Sequence, residues 1–166
     1  MKRFHVSLSV EDVDKSTQFY TTLFNTEPAV RKDDYAKWML DDPRLNFSVS
    51  SLTEGAGVDH IGLQADTMEE LEIIQARLAA AQLKTFDQPD TECCYARSSK
   101  TWIRDPDDVA WETFVTHGAI THYGSGNAEQ AETKTVHQDP EVRCCAPLSA
   151  NRYVAEPGSK KSCCAS

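Results

Sequence analysis

The chemistry legible in this sequence rests on two histidines, one glutamate and pairs of cysteines. His5 and His60 open two similar segments, His5-Val-Ser-Leu-Ser-Val10 and His60-Ile-Gly-Leu-Gln-Ala65. They are the only histidines among residues 1–116. A lone strand histidine is usually a core or surface residue, but two at equivalent places in a repeat would face each other across the interface between its halves. Glu112 lies in the aromatic stretch Trp111-Glu112-Thr113-Phe114, where burying a carboxylate is costly unless it has a partner. The competing reading is a solvent-facing glutamate on an edge strand. Together His5, His60 and Glu112 make a two-histidine, one-carboxylate set. Three protein ligands leave positions open, the facial-triad pattern of non-haem Fe(II) oxygenases, although zinc and nickel use similar ligands. Ser48 corresponds to Glu112 in the first half and is a poor ligand, which keeps the set open.

All six cysteines are adjacent pairs: Cys93–Cys94, Cys144–Cys145 and Cys163–Cys164. Neighbouring side chains on a regular strand point to opposite faces. Cys93 and Cys94 can therefore act together only from a loop or turn, and Gln88-Pro89-Asp90-Thr91 just before them has suitable turn chemistry. We expect a mobile loop that closes over the metal. Tyr95, Trp102 and Trp111 are candidate walls of the cleft or plain core. Cys144, Cys145, Cys163 and Cys164, with His137 near the first of these pairs, read as accessory soft-metal thiols or as incidental ones. Six cysteines would suggest a disulfide framework in an oxidising compartment, but adjacent cysteines bridge poorly.

The elements that must position these groups form a repeat. Both histidine segments alternate apolar with small or polar residues and read as strands. Each is followed by an acidic cap region, Glu11-Asp12 and Asp66-Thr67, and then by a helix. The first helix is expected to bury Val13, Phe19, Tyr20, Leu23 and Phe24, and the second Met68, Leu71, Ile74, Leu78 and Leu83. Each half closes alike, with Asp42-Pro43 before 45–49 and Asp105-Pro106 before 109–114. Between helix and closing strand there is room for two more strands, about 28–32 and 35–40 in one half, 85–88 and 95–104 in the other. Each half thus reads βαβββ. One such unit cannot bury its curved sheet alone, so two should pack around a shared cleft. The fold class is α+β, a domain of residues 1–120 with modules at about 1–52 and 57–116.

The chain has 166 residues and a formal net charge of −9. Residues 1–116 hold 12 basic and 21 acidic side chains, and the remainder is neutral. An acidic domain argues against a nucleic-acid partner, and no apolar stretch reaches the ~18–20 residues of a membrane span. No signal peptide is evident, so a cytoplasmic location with reduced thiols is expected. The stretch from about residue 117, and the tail 121–166 in particular, has no apolar periodicity and reads as disordered.

These residues resemble the vicinal oxygen chelate superfamily of glyoxalases, extradiol dioxygenases and fosfomycin-resistance proteins. The closer resemblance is to its branch of carbon–arsenic lyases and cadmium-induced proteins. It is carried by His5 in FHVSLSV, by Phe19-Tyr20 and Leu23-Phe24, by His60 in VDHIGLQ, by Thr91-Glu92-Cys93-Cys94-Tyr95-Ala96 and by Trp111-Glu112. Some members of the branch have glutamine where this chain has His5. The resemblance implies an Fe(II)-dependent dioxygenase that uses O2 as co-substrate to split the carbon–arsenic bond of a trivalent organoarsenical such as methylarsenite. It implies His5, His60 and Glu112 as catalytic metal ligands. Trivalent arsenic is thiophilic, and two adjacent thiolates match the two exchangeable oxygens of methylarsenite, which makes Cys93 and Cys94 the arsenic ligands. A non-catalytic cadmium- or arsenite-binding protein and a ring-cleaving dioxygenase stay open as alternatives. So does the source of the two modules of one site, a single chain or a swapped homodimer.

Overall fold

The structure, a computed structural model, describes residues 1–53 and 55–124. The expected tail beyond residue 124, with His137 and the four accessory cysteines, lies outside the described residues.

Alternating patterns in the sequence become eight strands and two helices. In chain order these are β1 (Arg3–Ser9), α1 (Val13–Phe24), β2 (Val30–Arg31), β3 (Tyr35–Asp41), β4 (Arg44–Ser50), β5 (Gly57–Ala65), α2 (Met68–Ala80), β6 (Phe86–Cys93), β7 (Ala96–Arg104) and β8 (Ala110–Ala119). Each half is βαβββ. The strands form one mixed sheet in the order β2-β3-β4-β1-β5-β8-β7-β6, curled into a half-barrel. The two halves of that order mirror each other. β1 runs parallel to β4 and β5 parallel to β8, while β1 and β5 join the modules antiparallel. Val6 pairs with Ile61 at the centre of this seam, flanked by His5–Gly62 and Ser7–His60. β8 runs through His117 to Ala119, past the expected end of the ordered sequence, because it keeps pairing with β7 as far as Ala96–Ala119.

The helices start where the sequence places caps. Asp12 accepts from the Lys15 N–H at 2.9 Å, and Thr67 accepts from the Glu70 N–H at 3.2 Å. α1 lays Val13, Tyr20 and Phe24 over Ala36, Trp38, Phe47 and Val49. α2 has a smaller footing, with Leu71 against Ala65 and Val115. Four apolar expectations are corrected here. Phe19 and Leu23 are each 61% exposed, and Leu83, beyond the end of α2, is 50% exposed. Met68 in the first turn of α2 is likewise exposed. The reason on α1 is that Thr17 takes the inward place and returns its hydroxyl to the Val13 carbonyl at 2.6 Å. Phe19 and Leu23 are left on the outer side. Among the described residues, no helix is long and apolar enough to cross a membrane.

Period-two alternation sorts the sheet. One face carries the apolar side chains that meet the helices. The other carries His5, Ser7, Asn46, Ser48, Ser50, His60, Lys100 and Glu112, which line a common cleft.

Candidate metal centre

His5 and His60 come from the two seam strands, and Glu112 from β8 beside them. The His5 and His60 Nε2 atoms are 3.0 Å apart. Glu112 Oε2 lies 3.5 Å from His5 Nε2 and 3.4 Å from His60 Nε2. All three residues are buried. Gly62 makes this approach feasible. It pairs with His5 on one side and Glu112 on the other, and a Cβ there would meet the Glu112 carbonyl oxygen at 1.9 Å.

Hydrogen bonds turn both imidazoles the same way. His5 Nδ1 donates to the Asn46 carbonyl at 3.0 Å, and His60 Nδ1 to the Asp59 carboxylate at 2.6 Å. Each ring thereby presents Nε2 to the shared point, the usual outer-shell arrangement behind a ligating histidine. Glu112 Oε1 accepts from Lys100 Nζ at 2.6 Å, a contact buried on both sides.

The electrostatics follow from burial and these partners. Burial, with the neighbouring charge of His60, lowers the His5 pKa to about 4. Burial also opposes charge on His60, but the Asp59 and Glu112 carboxylates overcome it and raise that group to about 9. Burial would lift Glu112, yet Lys100 and the two histidines hold its carboxyl well below the usual range. For Lys100 desolvation is likewise outweighed, chiefly by Glu112 and then by the two cysteines, and its pKa lies well above the ordinary value. Metal–ligand bonds of about 2.0–2.2 Å spanning roughly 90–110° separate ligand atoms by about 3.0–3.5 Å, the spacing found here. Two imidazole nitrogens and one carboxylate oxygen suit iron, zinc or manganese.

Cys93 and Cys94 line the same cavity, whose volume is about 40 Å³. Cys93 ends β6. Cys94 and Tyr95 form a two-residue turn into β7, with φ of 56° and 61°. Two left-handed residues make this a type I′ hairpin, a geometry that favours Asn-Gly. The turn brings the sulfurs within 2.8 Å of each other. The turn therefore falls on the cysteines themselves. Gln88–Thr91, expected to turn, instead lies within β6 as an irregularity in its pairing with β7.

The three aromatic candidates separate. Trp102 sets its ring against His60 at 5.0 Å and donates Nε1–H to Gln88. Trp111 faces away from the cleft and meets Phe4. Tyr95 donates its hydroxyl to Asp34 of the first module at 2.7 Å, and burial with that carboxylate raises its pKa to about 12. Sequence reasoning missed four residues. Asp59 and Lys100 were signalled, one as the carboxylate before His60 and the other as the single charge in Ser98–Ile103. Tyr35 and Tyr123 were not. Both rings pack on Tyr95, and the Cys94 thiol donates to the Tyr123 hydroxyl at 3.6 Å.

Paired βαβββ modules on one curled sheet around a cleft define the class of fold, and comparison gives the family. Residues 2–113 match the model of the Glyoxalase/Bleomycin resistance protein/Dioxygenase superfamily, and the chain belongs to it. It is 37% identical over 156 residues to a trivalent organoarsenical cleaving enzyme of Bacillus sp. strain MD1, covering 91% of this chain and 94% of that one. It is 32% identical over 127 residues to a cadmium-induced protein of Mycobacterium bovis, covering 76% and 84%. Among solved structures, the Mn(II)-bound glyoxalase from Novosphingobium aromaticivorans aligns with a TM-score of 0.52 at 19% identity, over 78% of this chain and 44% of that one. The chain is an enzyme of this superfamily.

Proposed function

We propose that this protein cleaves the carbon–arsenic bond of trivalent organoarsenicals, with methylarsenite as the type substrate, as an Fe(II)-dependent dioxygenase. The observation that carries the reading is that three buried candidate metal donors and two thiols line one cleft. The balanced reaction is CH3As(OH)2 + O2 → As(OH)3 + HCHO: the carbon–arsenic bond breaks, carbon is oxidised and dioxygen is reduced.

His5, His60 and Glu112 would hold the iron. When bound, ferrous iron supplies the redox chemistry that activates dioxygen at positions the three ligands leave open. Cys93 and Cys94 bind the arsenic by replacing its two hydroxyls. Each thiol proton departs with a hydroxyl as water, and the carbon is left as the exposed substituent. The Lys100 ammonium interacts electrostatically with both cysteines. Trp102 and Phe114 pack against the two histidine rings and keep bulk water from the reacting bond.

The test is anaerobic reconstitution with Fe(II), addition of methylarsenite, admission of air and measurement of arsenite and formaldehyde. Equal yields are expected. Stoichiometric arsenical or cadmium binding without product would replace this reading with that of a sequestering protein.

A further inference from the structure

We propose that Lys100 is a positioning residue that confines Glu112 to one-oxygen coordination and so sets how many positions on the metal stay open. This rests on the reading of His5, His60 and Glu112 as a metal centre. The two oxygens of Glu112 have different surroundings. Oε2 faces both histidines, at 3.5 and 3.4 Å, whereas Oε1 is held by Lys100 Nζ at 2.6 Å. Lys100 is itself fixed. It is 6% exposed, and its ammonium lies 5.9 Å from the Trp102 ring centroid and 6.0 Å from that of Phe114.

The register explains the reach. Lys100 pairs with Phe114, and Trp102 with Glu112, so lysine and glutamate are diagonal neighbours on the cleft face. A buried ammonium has no water to return to, and a charge-assisted hydrogen bond to a carboxylate is a strong one. A glutamate released from Lys100 would be free to chelate through both oxygens and occupy a position otherwise open to substrate or dioxygen. The same ammonium opposes a divalent ion nearby, so the arrangement exchanges metal affinity for open coordination.

Mn(II) alone is the probe, because its bound waters can be counted by line broadening in 17O-enriched water. For a six-coordinate ion, wild-type protein and Lys100→Arg should each show three waters and Lys100→Met two. Lys100→Met should also bind Mn(II) about tenfold more tightly, since a nearby cation is gone; a merely structural lysine would give weaker binding. Three waters in folded Lys100→Met overturn the proposal. Should that variant not fold, the wild-type count decides alone: three supports the proposal and two overturns it. Failure of wild-type protein to bind Mn(II), or unchanged binding by Glu112→Gln, would instead overturn the metal-centre reading beneath it.

Discussion

The two modules share element order, sheet order and strand pairing, yet they divide the work unequally. The first has the larger core, with Tyr20, Phe24, Trp38 and Phe47 packed around α1, and gives the candidate metal site one histidine. Around it the cleft wall is mainly hydroxyls, Ser7, Ser48 and Ser50, with Lys37 and Asn46 beside them. The second has a sparse core of Ala65, Leu71 and Val115 and contributes His60, Glu112, Lys100 and both thiols. Ser48 and Glu112 make the contrast sharp. Ser48 pairs with Ser7 as Glu112 pairs with Gly62, two residues past each histidine. One duplicated scaffold thus carries packing mainly in one copy and chemistry mainly in the other.

Breaking this asymmetry should give graded effects. The largest is expected at the paired positions. Glu112→Ala should abolish turnover and lower metal affinity by more than the roughly 10–100-fold typical of outer-shell changes, whereas Ser48→Ala should leave metal content unchanged. Metal analysis of the purified variants checks both. Next comes the core. Trp38 is fully buried, and Trp38→Ala should cost about 3–5 kcal/mol in denaturant unfolding; Phe19→Ala on the outer side of the same helix cover should cost far less. Third are the bonds that aim the histidines. Asp59→Asn should weaken metal binding by roughly 10–100-fold. Asn46→Ala should change it little by comparison, because His5 is held by the Asn46 main chain. Titration calorimetry with a divalent metal separates the two. The smallest effect on stability is expected at the turn. Cys94→Gly relieves a left-handed residue and should stabilise the fold by up to about 1 kcal/mol, while arsenical binding measured by competition with a dithiol is lost.

The repeat was legible because histidine is rare in residues 1–116 and alternation marks strands. The same reasoning set Glu112 opposite Ser48 of the first half, and the observed pairings carry the same correspondence. Lys100 escaped because a lysine inside a strand reads as solvated unless the carboxylate diagonal to it is known, and register comes from tertiary pairing. Phe19 and Leu23 escaped for the opposite reason. Their spacing fits an inward stripe, but the sheet offers α1 only the width that Val13, Thr17, Tyr20 and Phe24 fill. The turn was misplaced by a few residues because Pro89-Asp90 has stronger turn chemistry than Cys94-Tyr95. The chain nevertheless turns at the pair with no glycine or asparagine, where Tyr95 is anchored to Asp34 and packed on Tyr123.

That hairpin also acts as a ruler. The candidate metal donors lie on β1, β5 and β8, whereas the thiols stand at the tip of β6 and β7, joined to the donors through the strand pairing between β7 and β8 and tied to the first module through Tyr95 and Asp34. The distance from the thiols to the two histidines and Glu112 is therefore set largely by the number of residues along two strands. Adding one residue to each would turn the side chains beyond it to the other face, whereas adding two would restore the face and advance the tip by about 6.8 Å. A lineage could thus alter the size of what fits between the thiols and the histidine–glutamate cluster by lengthening or trimming one hairpin, without touching His5, His60 or Glu112.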